Sequence, residues 1–135
     1  MINSYTNISQ AVAADSTINF DITRVLTGCT VKHADGTPTF TLTKPGYYFV
    51  TFDGVITGTE AGIVTVELIN GNTAIPGAIA SVTAAVGDAA TLNFSTIVRV
   101  LPSCPAIDNT VKLTVLNSGV AATYTNANIN ITKLC

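Results

Sequence analysis

Catalysis in this 135-residue sequence would depend on few side chains. His33 is the only histidine, and Cys29, Cys104 and Cys135 are the only thiols. A catalytic nucleophile needs a general base within hydrogen-bond reach, and spacing along the chain alone leaves a Cys–His pair open. His33 opens the turn sequence HADGT, where an exposed side chain is the default. No GxSxG nucleophile elbow occurs.

The carboxylates give no stronger indication of an active site. Hydrolysis by a carboxylate pair would draw two residues from Asp15, Asp21, Asp35, Asp53, Asp88, Asp108, Glu60 and Glu67. Most of these lie in predicted turns, and Asp35 and Asp88 adjoin glycines that turn geometry explains. The sequence GTEAG at 58–62 lacks the lysine and the following helix of a phosphate-binding loop. We therefore predict no catalytic residue, no cofactor and no enzyme activity.

The three cysteines are an odd number without CxxC spacing. Reduced thiols that pack as small apolar groups are the simplest expectation. A disulfide between Cys29 and Cys104 stays open, with Cys135 left over or pairing between chains. Because His33 is the only imidazole, we expect no metal site built from these residues.

Charge and hydropathy indicate a chain that buries surface against other protein chains. Only 10% of the residues are charged, the net charge is −2 and the mean hydropathy is +0.47, whereas about a quarter of residues are charged in ordinary soluble domains. No apolar run approaches the roughly 18 residues of a membrane-spanning helix, so we expect no membrane insertion. The basic residues are scattered, which argues against nucleic acid as a partner; they are Arg24, Lys32, Lys44, Arg99, Lys112 and Lys133.

Residue types and turn sequences predict a single all-β domain over 1–135. Thr, Val, Ile and Asn dominate, and Gly, Pro, Asn and Asp interrupt the chain every eight to twelve residues or so, as in antiparallel sandwiches. Asp-Gly at 35–36 and Asn-Gly at 70–71 are typical of hairpin turns. The predicted strands cover 5–13, 17–23, 29–33, 38–43, 46–57, 62–70, 74–84, 90–101, 109–117 and 121–134.

Two of these strands have an unusually apolar second face. In GYYFVTFDGVI, the face predicted for the core comprises Tyr48, Val50, Phe52 and Ile56. The opposite face comprises Tyr47, Phe49, Thr51, Asp53 and Val55. Strand 90–101 likewise places Ile97 and Leu101 among polar residues. A face that mixes aromatic and small polar side chains suits a subunit interface better than a core or a solvated surface.

Four segments, in order, resemble the trimeric jelly-roll family of tumour necrosis factor and the complement globular heads. FTLTKPGYYFVTFDGVIT at 40–57 is similar to the Pro-Gly-x-Tyr strand that runs along the three-fold axis there. VELINGNTAIPGAIAS at 66–81 and the closing strands at 109–134 resemble the bacterial and phage branch, which includes the C-terminal domain of the exosporium glycoprotein BclA. The collagen-like stalk of the exosporium members is missing, and LPSCPAID replaces the usual Ala-Gly-Asp corner.

The resemblance implies an antiparallel jelly-roll sandwich of about ten strands that forms a homotrimer, with Tyr47, Phe49, Thr51 and Asp53 at the subunit interface. Three copies of Asp53 near one axis would repel, unless they splay outward, accept hydrogen bonds, are protonated or bind a cation such as calcium. Residues 1–24 would supply an N-terminal arm and first strands that serve as an anchor. The outward loops are expected at 58–61, 71–77 and 119–123.

The function expected from these features is assembly and surface display. MINSYTNISQ has no secretory signal pattern, which favours a phage structural protein assembled in the host cytoplasm, such as a head fibre or a capsid decoration on the virion surface. One alternative is a receptor- or glycan-binding tip of a tail fibre or bacterial surface protein, in which an exposed Tyr124 would face the sugar. Another is a spore-surface head domain.

Overall fold

The computed structural model describes residues 1–135, which form twelve strands and no helix. The strands are β1 Ile2–Thr6, β2 Gln10–Val12, β3 Ser16–Thr17, β4 Ile22–Leu26, β5 Val31–Lys32, β6 Phe40–Leu42, β7 Gly46–Gly58, β8 Gly62–Asn70, β9 Thr73–Ala84, β10 Ala89–Val100, β11 Val111–Asn117 and β12 Ala122–Lys133. The chain therefore forms no helix of the length and apolarity that crossing a membrane requires.

The strands make two antiparallel sheets that pack as a jelly-roll sandwich. The first sheet has the order β10-β7-β12-β1-β4, and β2 also pairs with β12. The second has the order β5-β6-β11-β8-β9, and β3 also pairs with β11. The predicted all-β antiparallel jelly roll is confirmed.

One continuous cluster of 28 buried apolar residues fills the space between the sheets. Phe20 contacts Phe40 and Phe52 edge to face, with ring centroids 5.4 and 6.3 Å apart. The four residues of β7 predicted for the core, Tyr48, Val50, Phe52 and Ile56, are all fully buried. The strict alternation of β7 follows from its pairing on both sides, with β10 and β12.

The N-terminal strands differ from the prediction. The predicted strand 5–13 is two strands, β1 and β2, because the chain turns after Thr6, whose hydroxyl donates to the Asp21 carboxylate at 2.6 Å. The predicted strand 17–23 likewise divides into β3 and β4. Between them Ile18 and Phe20 are fully buried in the core, and only an isolated bridge between Phe20 and Thr37 continues the pairing.

The chain termini lie at one end of the sandwich, beside the start of β7. Ile2 pairs with Ile131, and the Tyr47 amide donates to the Cys135 carbonyl at 3.2 Å. The loops at 58–61 and 119–123 meet at the other end, where the Thr59 hydroxyl donates to the Ala121 carbonyl at 3.0 Å. The turn at 71–72 follows β8 back to the end that holds the termini, so the expectation that all three loops share one end is wrong.

Candidate functional site

The outer face of the first sheet carries the four side chains predicted for an interface. Tyr47 and Phe49 are 44% and 40% exposed, although both lie in β7, which is paired on both sides. Thr51 is half-buried and Asp53 is exposed on the same face. The structure thus brings the four residues together in one row, and their role at an interface stays a prediction.

Strand β10 extends the apolar end of this face. Ile97 pairs with Phe49 and is 57% exposed, and Arg99 pairs with Tyr47, with its guanidinium carbon 5.8 Å from the ring centroid. We call Tyr47, Phe49 and Ile97 the apolar patch. The inward residues of β10, among them Phe94 and Val98, are buried, so the alternation predicted for this strand is confirmed.

Asparagine side chains cross the middle of the same face. The Asn3 amide nitrogen donates to Oδ1 of Asn128 at 2.7 Å and to Oδ1 of Asn130 at 2.6 Å. The Asn130 amide in turn lies 3.3 Å from the Thr51 hydroxyl. Sequence analysis missed this network, although the period of two in NANIN at 126–130 would have placed its asparagines on one face.

Beside the network, strands β1, β4 and β12 enclose a groove of about 710 Å³. We call it the asparagine groove, because five asparagines line it: Asn3, Asn7, Asn126, Asn128 and Asn130. Tyr5 and Arg24 also line it, and the guanidinium carbon of Arg24 lies 4.4 Å from the centroid of the Tyr5 ring. No carboxylate lines this groove, and Arg24 is the only charged side chain in its lining.

The contacts of the His33 ring support the fold and include no nucleophile. The ring stacks on Phe40 with centroids 4.0 Å apart, Nδ1 lies 3.0 Å from the Thr39 carbonyl oxygen and Nε2 lies 3.2 Å from that of Phe20. The expectation of a solvent-exposed His33 is wrong, since the hairpin folds the ring onto Phe40. Nor does any group of three His, Cys, Asp or Glu side chains come close enough to hold a metal ion.

The carboxylates at turns have structural partners. Asp35 accepts a hydrogen bond from the Thr23 hydroxyl at 2.7 Å, and Asp88 accepts one from the Ala85 amide at 3.1 Å. Hydrogen bonds from Thr110 hold the pKa of the exposed Asp108 below its usual range. These contacts stabilise loops and bring no two carboxylates together around a substrate-sized cavity.

The three cysteines are free, and all are exposed. The disulfide left open between Cys29 and Cys104 is therefore not formed in this structure. The expectation that the thiols pack as small apolar groups is also wrong, because each of them lies outside the core.

The prediction of an exposed, glycan-facing Tyr124 is wrong. A bulge in β12 shifts its register against β7 between Tyr124 and Asn126, so Tyr124 faces inward, as Ile129 does beyond the bulge. Its side chain has no exposed surface. Its hydroxyl has no hydrogen-bond partner in the protein, and burial raises the pKa of Tyr124 above its ordinary value. A side chain without exposed surface cannot contact a sugar.

Comparison with known proteins identifies the fold through structure rather than sequence. No protein-family model matches the chain, and no curated protein matches it. Among solved structures, the globular domain of zebrafish complement 1qA protein superposes with a TM-score of 0.72 at 11% identity, covering 99% of this chain and 96% of that one. Eiger TNF from S. frugiperda superposes with a TM-score of 0.71 at 10% identity, covering 99% of this chain and 92% of that one.

A viral protein is also among the similar structures. The vertex protein P5 of phage PRD1 has a TM-score of 0.62 at 16% identity and covers 99% of this chain and 96% of its own. At these identities the likeness shows the fold alone. The chain has the jelly-roll fold of tumour necrosis factor and complement head domains, as its sequence resemblance implied.

Proposed function

We propose that this protein is a non-enzymatic homotrimer that assembles on a larger particle and displays a surface, and that the particle is a phage virion. The observation that carries the proposal is the outer face of the first sheet. There Tyr47, Phe49 and Ile97 are exposed on two paired strands, near the end of the sheet that holds the chain termini. Contiguous apolar side chains of this kind, bordered by polar ones, mark interaction surfaces.

Three copies placed around an axis along β7 would bury this face. Each copy would cover the apolar patch of the next, and the polar residues Thr51 and Asp53 would stay hydrogen-bonded or paired. Interfaces are enriched in aromatic side chains and Arg and poor in other charges, as this face is. A charged fraction of only 10% is also what a chain with extensive protein contacts would have.

The two ends of the sandwich suit different roles. The chain termini lie at the end beside Tyr47, where Ile2 pairs with Ile131. Of residues 1–24, the proposed anchor, the first residues lie at that end, whereas β2 and β3 pair with β12 and β11 at the other end. We place the mount at the end that holds the chain termini. The loops at 58–61 and 119–123 lie at the other end and would form the displayed surface.

A virion role rests on fold likeness and on composition. The vertex protein P5 of phage PRD1 shares this fold, and it is a component of a virus particle. A weakly charged head rich in Thr and Asn suits a head fibre or a capsid decoration. The proposed partners are two further copies of the chain and the capsid protein beneath it.

Two measurements test the proposal. Light scattering on a sizing column gives the mass in solution. We expect the mass of three chains, and the mass of a single chain would overturn the trimer. Mass spectrometry of purified phage particles from the source should detect the chain in the virion. If the chain forms a trimer in solution but is absent from phage particles, the proposed trimer stands and the proposed virion role is overturned.

A further inference from the structure

Asp53 has no counter-charge among the residues directly opposite it on the neighbouring strands. Its register neighbours are Asn93 on β10 and Asn128 on β12, both of them neutral amides. The proposed axis would bring three copies of Asp53 toward one another, and like charges at close range destabilise an assembly. A cation at the same height along the axis would offset this repulsion.

Arg24 is a cation without a carboxylate in its surroundings. Its guanidinium stacks on the Tyr5 ring at 4.4 Å, and the asparagine groove around it contains no acidic side chain. Stacking orients the planar guanidinium and leaves its N–H donors free for a carboxylate. The groove thus offers a positioned, unpaired positive charge on the same outer face as Asp53.

The two charges lie too far apart to pair within one copy. Asp53 is in register with Asn128, and Asn128 is in register with Tyr5, so the three residues lie across neighbouring strands at one height. Strands are about 4.8 Å apart, which puts the Tyr5 strand about 10 Å from β7 and the Arg24 strand about 14 Å from it. An ion pair needs its charged atoms within about 4 Å.

In a trimer, Asp53 of one copy can approach Arg24 of the next copy, because the copies are related by rotation about the axis. Rotation about an axis parallel to β7 moves a residue around the axis and leaves its height unchanged. Residues at one height in one copy can therefore meet residues at the same height in the next copy. A cyclic trimer is also heterologous, so the surface that each copy presents on one side differs from the surface it accepts on the other.

Arg24 lies two residues beyond Ile22, the partner of Tyr5, and its guanidinium reaches back to the Tyr5 ring. The remaining cations near this face lie farther along the strands. Arg99 pairs with Tyr47, which is six residues from Asp53 along β7, or about 20 Å at 3.3 Å per residue. Lys133 pairs with Tyr48, which is about 16 Å away by the same rise. Neither can reach Asp53 after a pure rotation.

We infer that Asp53 of each copy pairs with Arg24 of the next copy, so that the asparagine groove receives the β7 face of its neighbour. The inference rests on the proposed trimer and specifies its partner surfaces. Three such pairs close a ring, neutralise the three carboxylates, and leave the asparagine amides to bond the flanking polar groups.

Charge reversal tests the pair. The variants are Asp53→Arg, Arg24→Asp and the double variant, with Lys112→Asp on the second sheet as the matched control for a changed surface charge. The readout is the chain concentration at which the trimer dissociates, followed by sedimentation, with circular dichroism to verify the fold. Each single reversal should raise that concentration at least about tenfold, the double variant should return it to within about threefold of wild type, and the control should leave it unchanged.

Other outcomes separate this inference from the proposed function. A monomeric wild type overturns the trimer and the pair together. A trimeric wild type whose double variant dissociates as readily as the single ones overturns the pair alone. If a reversed variant fails to fold, Asp53→Asn and Arg24→Gln replace it, and non-additive losses in the double-variant cycle are then expected, where additive losses would overturn the pair.

Discussion

Ile97 on β10 lies directly opposite Phe49 on β7, and the two side chains face outward with 57% and 40% of their surfaces exposed. Their inward neighbours Val50 and Val98 are buried, so the pair belongs to the outer face of an otherwise well-packed sandwich. Burying an aliphatic or aromatic side chain contributes about 1.5–3 kcal/mol. Three pairs around one axis would supply a substantial part of the free energy of assembly.

Replacement of Ile97 by Asp should therefore dissociate the trimer. The matched control is Ile63→Asp, because Ile63 is 56% exposed on β8 of the second sheet, opposite Thr83. We expect a single-chain mass or aggregation for Ile97→Asp and a three-chain mass for Ile63→Asp, both measured by light scattering. Phe49→Asp should behave as Ile97→Asp does. Equal behaviour of Ile97→Asp and Ile63→Asp would show that the apolar patch is ordinary surface.

Two fully buried tyrosines differ in whether their hydroxyl is satisfied, and their phenylalanine variants should differ accordingly. The Tyr48 hydroxyl donates to the Lys44 carbonyl at 2.7 Å, whereas that of Tyr124 has no protein partner. Tyr48→Phe should lower the free energy of unfolding by about 1 kcal/mol, and Tyr124→Phe should leave it unchanged or raise it by up to about 1 kcal/mol. Denaturant midpoints at one chain concentration measure both. A larger loss for Tyr124→Phe would reveal a hydrogen bond to an ordered water molecule.

Long, regularly alternating segments were the part of the fold that sequence could predict. Strands β7 to β12 begin and end within a few residues of their predicted bounds, since turn residues separate them and period-two patterning fills them. The face of β7 that holds Phe49 and Asp53 followed from the same periodicity. Alternation fixes which side a residue occupies wherever the strand is regular.

Sequence failed where tertiary contacts override the local pattern. The bulge after Tyr124 inserts one ordinary residue, Thr125, and nothing in the local sequence distinguishes it from a regular strand. The exposed placement of His33 was inferred from its turn, but the ring packs on Phe40 across the hairpin. Likewise Arg24 meets Tyr5 only because β4 pairs with β1 at the sheet edge, an order that alternation does not reveal.

Stability should decline in alkaline solution through the buried phenol of Tyr124. Burial raises its pKa above the ordinary value of 10.0, so the folded chain keeps a proton that the unfolded chain releases. The contribution is fully present below about pH 10, and above it the free energy of unfolding falls by about 1.4 kcal/mol per pH unit for this group. Tyr124→Phe should make the decline shallower in denaturant titrations between about pH 9 and pH 11. Equal slopes for the variant and the wild type would contradict this assignment.

Gly46 is required by a close approach of two backbones at the end of the sandwich that holds the chain termini. Its φ is 141°, and a Cβ there would collide with the Cys135 carbonyl oxygen, which accepts the Tyr47 amide. Gly71 is the matched control, because its φ is also positive, 63°, but a Cβ there meets nothing within 4 Å. Gly71→Ala should cost about 1 kcal/mol from backbone conformation, and Gly46→Ala should cost about 3 kcal/mol or more, since it also separates β7 from the end of the chain. Because Tyr47 belongs to the apolar patch, Gly46→Ala should weaken the trimer as well. Thermal unfolding and sedimentation of the two variants measure the difference, and equal losses in both would show that the backbone contact with Cys135 contributes nothing.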